Sequence, residues 1–210
     1  MAVAGEERQE RRLRSRNATR CSILEAARRV AARDGARHLS LRATAAEAGF
    51  VPAALYGYFR NKDELLLALA SEDLGAIARA MRVATERHDG SSPLAAVSAA
   101  ALTLLERTET IAAVSAALRH PSEQSESERI FNGRLIGVLN ALSRATGQSA
   151  ESRTAQSDVV LLAATLTGLA VLSRSGRLSA LGFETEELVG RLDAKFSGAP
   201  EAAGAHKSGT

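Results

Sequence analysis

Between Ser40 and Phe59 the chain reads SLRATAAEAGFVPAALYGYF, and three residues in this stretch restrict what it can fold into. Ser40 is of the type that caps a helix N-terminus, and Leu41 to Ala48 are mostly good helix formers. Gly49 ends that helix, because glycine takes up the left-handed C-terminal conformation without a Cβ penalty. Only Phe50 and Val51 then precede Pro52. Proline suits the first position of a helix, where its missing N–H has no intrahelical partner in any case. Two short helices, the second running to about Tyr58, are thus joined by a tight glycine-containing turn and read as a helix-turn-helix over 40–59.

The rest of the chain repeats the same kind of punctuation. Ile23, Ala26, Ala27, Val30 and Ala31 recur at helical spacing from about Asn17, and Gly35 stops that run. Asn61 with Glu64 marks the start of a longer helix. Further helices are expected at about 93–107, 109–119, 125–144, 156–174 and 184–196. Period-two alternation is absent, and the chain contains four Pro in 210 residues. The fold class is therefore all-α, with about nine helices: an N-terminal three-helix unit with a helix-turn-helix, then a helical bundle.

Charge is unevenly placed. Residues 1–62 carry thirteen Lys or Arg against six Asp or Glu, and the remainder fourteen against eighteen. A basic N-terminal third on an acidic remainder suits contact with a polyanion through one part only, or simply a well-solvated terminus. The single cysteine, Cys21, excludes a disulfide framework and fits a reducing compartment. The four histidines and Cys21 never fall at metal-ligand spacing, so neither metal nor cofactor is implied. The catalytic loop motifs G-x-S-x-G and H-E-x-x-H are missing, which argues against an enzyme. The longest apolar run, 159–172, is shorter than the ~20 residues of a membrane span, and the expected location is cytoplasmic.

The residues around the helix-turn-helix carry a resemblance. I-L-E-A-A at 23–27, Gly35, S-L-R at 40–42, A-G at 48–49, L-Y-G-Y-F at 55–59 and N-K-D-E-L-L at 61–66 closely resemble the N-terminal domain of the TetR family of bacterial transcriptional regulators. The likeness covers roughly residues 17–77; beyond residue 80 only the family's layout is similar. It implies a disordered basic arm over 1–16, a DNA-binding domain over 17–77, a ligand-binding and dimerisation domain over 78–196, and a disordered tail over 197–210.

Carried over from the family, the helix from Pro52 enters the major groove of double-stranded DNA. Ser40 and Arg42 meet the phosphate backbone, Tyr56 and Tyr58 reach phosphates or base edges, and Lys62 clamps a phosphate at a helix N-terminus. Arg16 and Arg20, with Arg11, Arg12 and Arg14, add contacts from the arm. Two positions depart from the family pattern: Val51 replaces a hydroxyl and Ala53 a glycine. No Arg, Asn or Gln lies between Val51 and Phe59, so bidentate readout of guanine or adenine from this helix is excluded. Sequence choice then rests on Val51, Pro52, Ala53 and Ala54 against thymine methyls, on the tyrosines, and on DNA shape. Phe50 and Phe59 are assigned to the core of the small domain.

The resemblance also implies a homodimer on a palindromic operator, with Leu161, Leu169, Leu172, Leu188 and Leu192 as interface candidates. An effector pocket is expected among Leu102, Thr103, Leu105, Ile111, Phe131, Leu135, Leu162, Thr165 and Leu166, with Asn132 and Asn140 as further polar anchors. Such a lining suits a lipophilic small molecule that releases a repressor from its operator. The rival readings are a helix-turn-helix regulator without a small-molecule effector, controlled by a protein partner or by abundance, and an all-helical enzyme or adaptor.

Overall fold

The computed structural model describes residues 2–87, 92–108, 110–117, 125–148 and 151–197. In chain order the helices are α1 (Ala2–Asp34), α2 (Leu41–Ala48), α3 (Pro52–Leu55), α4 (Lys62–Arg87), α5 (Pro93–Leu105), α6 (Thr110–Ala117), α7 (Glu126–Thr146), α8 (Arg153–Arg174), α9 (Arg177–Ala180) and α10 (Thr185–Phe196), with a 3-10 turn at Ala36–His38. No strand occurs among the described residues. All nine expected helices are present. The addition is α9, a single turn opened by Gly176 in the left-handed conformation.

Two expectations need correction. Residues 2–16 are helical, where residues 1–16 were expected to form a disordered arm; α1 begins at Ala2 and not near Asn17. Its extension is rich in Arg, Glu, Gln and Ala, which favour helix, and it carries an i,i+4 ion pair between Glu10 and Arg14. The expected tail lies outside the described residues beyond Ser197.

The second correction concerns the domain boundary. The chain divides into two compact units, and of the described residues 110–117 and 125–132 group with those up to Asp73, not with the bundle that follows. Asp73 explains this grouping. Its buried carboxylate accepts from the Arg28 guanidinium of α1 and from the Thr110 hydroxyl of α6, so α6 is tied to the N-terminal helices. The α6 helix also packs against the 3-10 turn.

Within the first unit α1 packs on α2, and Ile23, Leu24, Ala26, Ala27 and Val30 are almost wholly buried on one face. Those spacings are the expected i, i+3, i+4, i+7 pattern. Phe59, Leu55 and Leu39 complete the core. Burial of a side chain like Phe59 contributes on the order of 2 kcal/mol.

In the second unit α5, α8 and α10 pack on one another. Leu94, Val97 and Ala101 of α5 are buried, as are Val159, Leu162 and Leu166 of α8 and Val189 and Leu192 of α10. Ser92, just before α5, donates to Asp193 of α10, and Gln148 Nε2 donates to the Phe196 carbonyl at 3.3 Å. The α8 helix is longer than the apolar run suggested. It is 22 residues long, and an 18-residue stretch of it reaches a mean hydropathy of 1.6, enough in length and composition to cross a membrane. Its inner face serves as core, so only its outer face lacks apolar cover within the unit.

Candidate nucleic-acid interface and effector region

Local rules position the helix-turn-helix. Ser40 caps α2, its Oγ accepting from the Ala43 N–H at 3.1 Å. Gly49 closes α2 at φ 73°, a left-handed conformation that asks for glycine. Pro52 opens α3, and Val51 before it makes no side-chain cap. The α3 helix is shorter than expected, stopping at Leu55; Tyr58 and Phe59 both donate backbone N–H groups to the Leu55 carbonyl at 2.9 Å. Gly57, a poor helix former, sits inside that turn.

The exposed side chains of this region are apolar. Val51 is 69% exposed, Tyr56 61% and Phe50 37%, and Pro52 and Ala53 are also exposed. Phe59 is buried as expected, but Phe50 is not in the core. It follows Gly49 directly, and the left-handed turn directs it outward. Ala54 and Tyr58 are half-buried.

Basic residues divide into two sets. Arg28, Arg29 and Arg33 are engaged within the unit. Arg28 pairs with Glu72 and Asp73, and Arg29 and Arg33 donate to Glu47 of α2 at 2.8 and 3.0 Å. Arg42 at the start of α2 is exposed and carries no ion pair. Arg60, just ahead of α4, is likewise exposed and was missed in the sequence. Its signal was its place before the Asn61 cap, where the Glu64 N–H donates to Asn61 Oδ1 at 2.9 Å and Glu64 accepts from the Arg60 N–H at 2.6 Å. Lys62 does not stand free as a phosphate clamp; its Nζ donates to the Arg37 carbonyl at 2.5 Å, closing the 3-10 turn. Arg16 and Arg20 turn toward the recognition turn. Arg16 Nη2 donates to the Gly57 carbonyl at 3.2 Å and its guanidinium lies 5.8 Å from the Tyr58 ring centre. Arg20 stands 5.1 Å from the Phe59 ring centre.

Residues 23–69, which span this whole arrangement, match the family described as bacterial regulatory proteins, tetR family. Residues 23–69 are thus a tetR-type domain. Solved structures similar to the whole chain share its fold. A protein of unknown function from Rhodococcus sp. RHA1 has 23% identity and a TM-score of 0.67, covering 85% of this chain and 93% of the other. The FadR regulator of Bacillus subtilis, solved with stearoyl-CoA, has 20% identity and a TM-score of 0.60, over 84% and 97%. BioQ, solved with its double-stranded DNA operator, has 22% identity and a TM-score of 0.58, over 85% and 97%. No curated protein matches the sequence.

In the second unit a groove of about 580 Å³ runs between α5 and α10, against the end of α8. Ala95, Ala99 and Leu102 form its apolar side, with Thr103, Glu106 and Glu186 among its polar groups. Of the nine expected pocket residues, Leu102 and Thr103 line it. Ile111 and Phe131 belong to the first unit, and Leu105, Leu135, Leu162 and Leu166 to the second. Thr165 is corrected outright: it is exposed on the outer face of α8 and its hydroxyl donates to the Leu161 carbonyl at 2.8 Å. Asn132 and Asn140 are exposed.

That outer face is the largest apolar stripe of the unit. Val160 and Leu161 are each 57% exposed, Val171 44% and Leu172 36%, with Ala164 and Gly168 exposed between them. Of the proposed interface leucines, Leu161 and Leu172 are exposed, while Leu169 and Leu188 are half-buried. Leu192 is corrected: it is 8% exposed and belongs to the core of its own unit. Among the described residues no group of His, Cys, Asp or Glu could hold a metal ion.

Proposed function

We propose that this TetR-family protein is a cytoplasmic, non-enzymatic transcriptional repressor that binds a palindromic operator as a homodimer and leaves it when a lipophilic small molecule binds. The observation that carries the DNA-binding part is the exposed set Val51, Pro52, Ala53 and Tyr56 on a proline-opened helix, flanked by Ser40, Arg42 and Arg60. Apolar side chains of this kind read thymine methyls, and the flanking groups supply phosphate contacts. BioQ, of the same fold, was solved on operator DNA, which supports the reading.

The dimer rests on the outer stripe of α8. Small residues at its middle, Ala164 and Gly168, permit close approach of a second copy, and two-fold pairing sets two recognition helices about 34 Å apart. The effector is proposed as lipophilic because one side of the groove, Ala95, Ala99 and Leu102, and the bundle core are aliphatic, and FadR of the same fold was solved with stearoyl-CoA. Release from DNA requires that the ligand favour one conformer, since affinity alone shifts nothing.

Selection of duplexes from a randomised pool, followed by titration in increasing salt, tests the reading directly. A recovered palindrome with salt-sensitive binding is the expected result, and failure to enrich any sequence overturns it. Thermal-shift measurements with long- and short-chain acyl-CoA thioesters are the first probes for the ligand.

A further inference from the structure

The α3 helix is a structure in need of support. It has four residues, far fewer than an isolated helix needs, and neither end is well held by its own sequence. Val51 supplies no cap at its start, and Gly57 weakens the turn after its end. Yet Tyr56, 61% exposed, can meet DNA in one register only if residues 55–58 keep one conformation.

Three consecutive residues of that turn are gripped from outside it. Gly57 gives its carbonyl to Arg16, Tyr58 lies under the Arg16 guanidinium, and Phe59 lies under that of Arg20. Arg16 and Arg20 are four residues apart on α1, hence on one face of it and stacked one turn above the other. Below them α1 is fixed by the buried run from Ile23 to Val30. Resting on the DNA-binding reading above, we propose that Arg16, seconded by Arg20, is a positioning residue that holds the end of the recognition helix and so aims Tyr56, and is not itself a phosphate contact. An arginine can do this where a lysine cannot, because the grip needs a planar face over Tyr58 and a directed N–H toward Gly57 together.

The sequence supplies a private reporter for the test. The chain has two tyrosines, at 56 and 58, and no tryptophan, so the near-ultraviolet tyrosine band reports on this turn alone. Arg16→Ala is expected to flatten that band in the free protein. With a duplex selected by the wild-type protein as probe, it should weaken binding roughly five- to thirty-fold while leaving the slope of affinity against salt unchanged. Arg16→Lys should fail to restore binding, and Arg16→Ala combined with Tyr58→Leu should bind no worse than Tyr58→Leu alone.

A fall of about one in the salt slope, an unaltered tyrosine band, or rescue by Arg16→Lys would identify a phosphate contact and overturn the proposal. If the wild-type protein selects no duplex, the DNA-binding reading fails. The tyrosine band then still decides whether Arg16 holds the turn.

Discussion

Arg28 of α1 and Asp73 of α4, 45 positions apart, form an ion pair in which the carboxylate is 8% exposed and the guanidinium 46%. The Thr110 hydroxyl donates to the same carboxylate. One acidic side chain therefore ties α1, α4 and α6 of the first unit together. Asp73→Ala is expected to lower unfolding stability by about 1–3 kcal/mol, less than a fully buried pair because Arg28 stays partly hydrated. The midpoint of urea unfolding measures it, and an unchanged midpoint would count against the clasp.

Acid should weaken a second tie. The hydrogen bonds from Arg29 and then Arg33 hold the Glu47 carboxyl below the usual glutamate range. A carboxyl group whose folded pKa lies below its unfolded one adds stability above the unfolded value and loses it as pH falls through the folded value. Stability is thus expected to decline on acidification below the ordinary glutamate pKa, and Glu47→Gln should make that decline shallower. Urea midpoints collected across an acid series show whether the two curves differ.

Ser98 on α5 is completely buried and its hydroxyl has no hydrogen-bond partner among the described residues. Replacing it with alanine removes an unsatisfied group and favours helix at once. Ser98→Ala should raise stability by roughly 1 kcal/mol, seen as a higher thermal midpoint. A fall would mean that the hydroxyl binds an ordered water or a ligand.

Gly168 lies in the middle of the exposed stripe of α8, and a Cβ there meets nothing within 4 Å in the single chain. Gly168→Arg is therefore expected to leave helical content unchanged while converting the dimer to monomers in sedimentation equilibrium. Persistence of the dimer would place the interface elsewhere.

Val51 stands at the N-cap of α3, 69% exposed and without a capping hydroxyl. Val51→Ser should stabilise that helix by about 1 kcal/mol. Because the Val51 methyls are assigned to a thymine, A·T preference at one operator position should fall in titrations of substituted duplexes, and an unchanged preference would remove Val51 from the reading face.

Much of the first unit was legible because its signals are local. Ser40, Gly49 and Pro52 act within one turn of themselves, and each does in three dimensions what its residue type dictates. The periodic run from Ile23 to Ala31 likewise declared its buried face. Illegible were the features that depend on partners distant in sequence. The bonds from Lys62 to the Arg37 carbonyl and from Arg16 to the Gly57 carbonyl cross 25 and 41 positions, which no local pattern announces. Leu192 and Leu161 share a residue type, yet one lies in the core and the other in solvent.

By itself, then, the sequence determined both ends of α2 and the start of α3, which residues share a helical face, and the absence of any bidentate base reader between Val51 and Phe59. Those properties follow from caps, turns and the 3.6-residue period, all interactions over a few residues. Tertiary structure alone decided which arginines are used up inside the molecule, that residues 110–117 and 125–132 join the N-terminal unit through Asp73, and that α8 turns Val160, Leu161 and Gly168 outward. Periodicity says which side chains point the same way; what they point at is set by packing between segments that the chain order leaves far apart.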